Sequence, residues 1–149
     1  PQGHDDAAED VSGPARVHGL NLNRLAPEPL AAAKPDGALG TAIDEHFGSF
    51  DKFRAQFEAN ALGVQGSGWS VLTWDMVAQK LYIVQHFDHQ GNVPICMVPL
   101  LMLDMWEHSY YLQYKNDKAT FVKQWWNIVN WADVAERFEK ARGGAKSLI

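Results

Sequence analysis

At 149 residues and 16.7 kDa, with 46% hydrophobic residues, the chain is long enough for one ordinary domain or a small two-part fold with a real core. A net charge of -5, a pI near 5.6 and the lack of any basic run exclude a nonspecific nucleic-acid binder, since nothing offers phosphates a cationic footprint. The single cysteine, Cys96, rules out an internal disulfide framework, and no apolar stretch reaches the roughly eighteen residues of a membrane span.

Residues Pro1 to Gly13 are acidic, polar and rich in small side chains, which predicts a mobile tail with a solvated His4. No basic segment followed by an apolar one is present, so no secretory signal is expected. A cytoplasmic location follows as the expectation, with secretion or association with a larger complex left open. A short helix is predicted around Val17 to Leu25. Pro27, Pro29, Pro35 and the glycines through Gly40 then make a breaking loop.

From Ala38 to Phe57, Leu39, Ile43, Phe47, Phe50, Phe53 and Phe57 recur at three- and four-residue steps. This spacing predicts two short amphipathic helices with a turn at Gly48 and Ser49, where Ser49 caps the second and the phenylalanines lie in the core. Gly63, Gly66 and Gly68 break the chain before Trp69 to Trp74, whose β-branched and aromatic content predicts a strand. No Gly-x-x-x-x-Gly-Lys-Ser/Thr pattern follows these glycines, which excludes a phosphate-binding loop. Lys80 to Phe87 reads as a second strand, with Met76 to Gln79 as the connection. Asp88, His89 and Gln90 follow it as a turn, and Cys96 reads as a small buried hydrophobe.

Val98 to Leu103 is a nearly unbroken apolar run that fits a buried strand, and it ends abruptly in Asp104. A carboxylate at the end of a buried segment is costly unless a cation, a metal or several donors compensate it. If the chain turns helical after Asp104, His108 falls on about the same side. One carboxylate and one imidazole suit Mn, Fe or Zn and argue against a copper-thiolate site. His108 can equally donate to Asp104 or cap a turn, and two ligands do not make a site. Trp106, Tyr110, Tyr111 and Tyr114 supply large rings around the pair that can exclude water. Thr120 to Asn130 and Ala132 to Ala141 read as two helices separated at Asn130-Trp131, with Gly143 and Gly144 stopping the second. Two helices, a three-stranded antiparallel sheet and terminal helices make an α+β fold.

Asp104-Met105-Trp106-Glu107-His108 resembles the C-terminal metal-binding signature Asp-x-Trp-Glu-His of the iron/manganese superoxide dismutases. The resemblance continues through Phe47 to Phe53, Val64 to Trp69 and Trp126 to Trp131, in the family's order and approximate spacing, and covers Gly37 to Ala141. It implies a divergent or truncated N-terminal region over residues 1–36 and a dismutase-like C-terminal domain over residues 37–149. It also implies that Asp104 and His108 are metal ligands, that Trp69 packs beside the metal cavity, and that His46 lies outside the metal shell.

The Asp88-His89-Gln90 run is similar to the actinobacterial branch. There the resemblance makes His89, or Gln90 with the loop shifted by one position, the side chain approaching metal-bound solvent. The family's N-terminal helical hairpin supplies one metal-binding His from each arm. Val17 to Pro27 keeps the second arm's register between His18 and Pro27, with Asn21 and Leu22 where an aromatic pair belongs. His18 is thereby implied as a third ligand, and no residue matches the ligand of the first arm.

By the same resemblance Glu107 bridges to His108 of the partner subunit, with Tyr111 near the same interface, in a homodimer or tetramer. The implied function is dismutation of superoxide to dioxygen and hydrogen peroxide by Mn or Fe, one ion per chain if the site is complete. The competing reading is a catalytically impaired structural or assembly subunit that keeps the fold without all four ligands.

Overall fold

The turn at residues 48 and 49 shows how local sequence sets the helical layer. Gly48 adopts a φ of 86°, a left-handed conformation open to glycine, and its N–H closes helix α1 (Gly37–Phe47) on the Asp44 carbonyl. The Ser49 hydroxyl then accepts from the Lys52 N–H and opens α2 (Phe50–Leu62). Helix α2 runs beyond Phe57 because Glu58, Ala59, Asn60 and Ala61 do not interrupt it, and it stops at Gly63. Leu39, Ala42 and Ile43 of α1 and Phe53, Phe57 and Ala61 of α2 form the buried faces. Phe47 and Phe50 are only half-buried at the edge of this layer.

This computed structural model describes residues 34–144 and the backbone of residues 16, 17, 20 and 21. In the latter, Arg16–Val17 (β1) pairs antiparallel with Leu20–Asn21 (β2), where the sequence predicts a short helix. His18, His4 and the proline-rich loop before Lys34 lie outside the described residues.

Three strands follow: β3 (Gly68–Asp75), β4 (Lys80–Phe87) and β5 (Met97–Asp104), in the order β4-β3-β5 with both pairings antiparallel. Alternation along β3 divides the sheet into two faces. Leu72 and Trp74 join Leu81, Leu101 and Leu103 in the main core with the helices, while Trp69, Val71 and Met102 form a smaller buried cluster with Val84 and Trp106 packed against it. The unbroken apolar run of β5 has a physical cause. A register shift between Leu72 and Thr73 inserts an extra residue opposite them, so the consecutive Leu100 and Leu101 both enter the main core. A side chain at Gly68 would place its Cβ 2.5 Å from the His86 carbonyl, so glycine is required where β3 begins.

After β5 come a 3-10 turn (Glu107–Ser109), the single-turn α3 (Tyr111–Tyr114), α4 (Lys118–Trp125), a second 3-10 turn (Trp126–Ile128) and α5 (Trp131–Gly144). The helix predicted over Thr120 to Asn130 is thus broken at Trp125. The break lets Trp126 stack on Trp131, with ring centroids 6.1 Å apart, while meeting Phe57 edge-on at 5.4 Å. Asn130 caps α5 by accepting from the Asp133 N–H at 3.3 Å, and α5 continues through Gly143 and Gly144 rather than stopping before them. Ile128, at the end of the second 3-10 turn, is exposed.

Cys96 also departs from expectation, being exposed rather than buried. It has a φ of 61° in the turn that enters β5, and its carbonyl accepts from the Met76 N–H, so the turn holds it outside the core. Helices packed on a three-stranded antiparallel sheet give the α+β class that the sequence predicts.

His86 is buried opposite Trp69 on β3, and its Nε2 has no hydrogen-bond partner among the described residues. Burial lowers its pKa, so the folded chain holds this proton less tightly than the unfolded one. Its contribution to stability is present above the ordinary histidine range and is lost as pH falls through that range toward the depressed folded value. His86→Val is expected to flatten the fall in thermal unfolding midpoint between about pH 7 and pH 5, the window around an ordinary imidazole pKa. Wild type and variant with parallel pH profiles would contradict this.

Candidate metal centre

Strand β5 carries Asp104 to its last position, between the sheet and the 3-10 turn that holds His108. The Met105 N–H donates to the Gly68 carbonyl at 2.9 Å and completes the ladder. Trp106 is extended, and its N–H turns back to donate to Asp104 Oδ1 at 2.8 Å. The other carboxylate oxygen, Oδ2, lies 3.0 Å from His108 Nε2. Asp104 is 7% exposed, whereas the His108 side chain is 62% exposed, so the pair runs from the protein interior to its surface.

Burial raises the pKa of Asp104. The Trp106 N–H, the His108 imidazole and, at longer range, His89 oppose that rise without cancelling it. A carboxylate held in this way is short of positive charge. Two donor atoms each about 2.1 Å from one ion, at roughly a right angle, lie about 3.0 Å apart. The Oδ2 to Nε2 separation therefore fits a shared ion as well as a direct hydrogen bond.

Three rings gather beside the pair. His89 stacks on Trp106 with centroids 4.4 Å apart and planes 10° from parallel. Trp69 lies 6.0 Å from His89, and Trp106 lies 5.8 Å from His108. Trp69 is the β3 register partner of Asp104, and its Nε1 donates to the Asp88 carbonyl at 3.0 Å, tying the loop that carries His89 to the sheet. Trp106 Nε1 is buried with no acceptor among the described residues.

The sequence-predicted residues separate under this geometry. Asp104, His108, His89 and Trp69 come together. Gln90 is exposed one position further along the loop, and Glu107 and Tyr111 are exposed on the outer side of the turn, with Lys115 Nζ 5.7 Å from the Tyr111 ring centroid. Tyr110 and Tyr114 turn their rings to Phe121 rather than forming a common shield with Trp106. His46 Nδ1 meets the Ala42 carbonyl within its own helix, as a locally bonded histidine would. His18 lies outside the described residues. Among the described residues no group of three or more His, Cys, Asp or Glu is placed to hold a metal ion, so Asp104 and His108 form a two-donor fragment. Trp106 is the participant whose individual role the sequence does not single out; its signal is its place between the two donors.

The family model for the C-terminal domain of iron/manganese superoxide dismutases matches residues 35–137. The chain belongs to the iron/manganese superoxide dismutase family. A superoxide dismutase [Mn/Fe] of Propionibacterium freudenreichii subsp. shermanii is 51% identical over 137 residues, covering 92% of this chain and 68% of the relative. A superoxide dismutase [Mn] of Nocardia asteroides is 59% identical over 121 residues, covering 81% of this chain and 58% of the relative. A superoxide dismutase [Fe] of Mycobacterium tuberculosis is 58% identical over the same length, with the same two shares. The chain thus spans 58% to 68% of the length of these family members.

Asp104 and His108 fit a family metal in donor type, since a hard carboxylate and a borderline imidazole suit first-row divalent ions. In the metal-free chain the raised carboxyl pKa means that stability from this group is full at acid pH and lost as pH rises through the folded value. Asp104→Asn removes the buried charge while keeping an oxygen for the Trp106 N–H. With chelator present at neutral pH, its thermal unfolding midpoint is expected to rise. Manganese affinity, measured by chelator competition, should fall by more than the roughly 10- to 100-fold typical of losing a supporting hydrogen bond. A lower midpoint with metal binding retained would contradict the account.

Proposed function

We propose that this chain is part of a dismutase that converts two superoxide anions and two protons to dioxygen and hydrogen peroxide, holding manganese or iron through Asp104 and His108, with one ion per chain where the site is complete. The unit responsible comprises residues 37–149. The observation that carries this reading is the 3.0 Å approach of the buried Asp104 carboxylate to His108, within the segment matched to the family. A bound redox ion supplies the one-electron exchange between its +2 and +3 states, which zinc cannot do.

The chain's own residues do the rest. Asp104 would hold the ion with a negative charge in a dry setting, where that charge has most effect. His108 presents the Nε2 lone pair and so carries its proton on Nδ1, open to an acceptor that would orient the ring. Glu107 of a second copy supplies that acceptor in a two-fold dimer, where each such link appears twice, with Tyr111 beside it. His89, which stacks on Trp106, would be the polar side chain approaching ion-bound solvent, and Gln90 is the alternative one position along. Trp69 and Trp106 keep bulk water from the Asp104 carboxylate, which is buried beside them.

His18 supplies a third donor in this reading, and the sequence has no match to the family's remaining histidine ligand. Purified full chain reconstituted with manganese, iron or zinc is expected to hold less than one ion per chain by mass spectrometry. Manganese or iron, but not zinc, should accelerate superoxide decay, and His108→Ala should abolish most of that gain. Equal decay rates for the metal-free, zinc-treated and manganese-treated chain would contradict the function.

A further inference from the structure

We infer that Ser109 is a positioning residue whose hydroxyl fixes the turn between Asp104 and His108. The metal consequence of this inference rests on the function proposed above. Ser109 ends the 3-10 turn Glu107–Ser109 and is half-buried. Its Oγ lies 2.9 Å from the Asp104 carbonyl and 2.7 Å from the Trp106 carbonyl, so one hydroxyl proton is shared between them. Its own N–H donates to the same Trp106 carbonyl at 3.0 Å.

The Asp104 carbonyl has a specific need for such a donor. The Met105 N–H to Gly68 carbonyl bond makes Trp69 and Asp104 a non-hydrogen-bonded antiparallel pair. The Asp104 carbonyl therefore points away from β3, toward the open side of the edge strand β5. Ser109 reaches back across the whole turn to satisfy it.

Packing holds the two ends of the segment through buried Met105 and Tyr110, but the 3-10 turn between them buries none of its residues and His108 itself is exposed. Without the hydroxyl, the side-chain bonds across this turn that remain both fall on the Asp104 carboxylate, one from the Trp106 N–H to Oδ1 and one between His108 Nε2 and Oδ2. The carboxylate would then have to restrain the turn and hold the ion together. With the hydroxyl in place, backbone carbonyls take up the restraint and Oδ2 stays directed at His108.

The test compares wild-type full chain with Ser109→Ala and Ser109→Thr, the latter restoring a hydroxyl. Amide hydrogen exchange is followed without metal, and manganese affinity is measured by chelator competition. Ser109→Ala is expected to speed exchange at the Trp106 amide relative to core strand amides and to weaken manganese binding about tenfold, the low end for losing an outer hydrogen bond at a metal site. Ser109→Thr should restore both. Unchanged Trp106 exchange in Ser109→Ala, or a loss that Ser109→Thr does not recover, would overturn the inference. If wild type bound no manganese while Ser109→Ala still sped Trp106 exchange and Ser109→Thr reversed it, the metal reading would fall and the turn-fixing role would stand.

Discussion

A carboxylate buried at the end of an edge strand, with one exposed imidazole 3.0 Å away, is the constraint around which this protein is arranged. Burying a charge without compensation is costly, and here burial alone raises the carboxyl pKa against three opposing influences. The fold nevertheless keeps Asp104 in place through the sheet ladder at Met105 and the backbone turn at Trp106. An ion shared with His108 would reverse the balance, because a cation favours the same charge that the interior disfavours.

The scaffold holds that constraint from both faces of the sheet. Helices α1, α2 and α5 and the rings of Trp125, Trp126 and Trp131 fill the main core behind Leu101 and Leu103, which leaves the end of β5 little room to shift. On the other face, Trp69 is held by its bond to the Asp88 carbonyl, so the loop carrying His89 follows the sheet. The stack of His89 on Trp106 then connects that loop to the turn between the two donors. Residues distant in sequence are thus joined by few, specific contacts.

Much of the fold is legible in the chain because its punctuation is local. Gly48 and Ser49 mark the helix break, and Gly68 marks the start of β3, each for a reason that acts within a few residues or one strand pairing. The misses have a non-local origin. Trp126 leaves the helical course to meet aromatic rings contributed by α2 and α5, which periodicity over Thr120 to Asn130 does not reveal. Cys96 has an apolar character suited to the core, yet the turn into β5 holds it outside in a left-handed conformation. At the site, the Asp104 to His108 spacing is readable directly. The stacking of His89 on Trp106 and the reach of Ser109 to the Asp104 carbonyl arise only when the turn and the preceding loop are set against β3.

The central claim is that Asp104 and His108 share one redox-active ion. The most direct measurement is an anomalous difference map from manganese-loaded crystals, recorded on both sides of the manganese absorption edge. A single edge-dependent peak is expected within coordination distance of both Asp104 Oδ2 and His108 Nε2. A fully loaded crystal with its peak elsewhere, and these two atoms still bonded directly to each other, would contradict it.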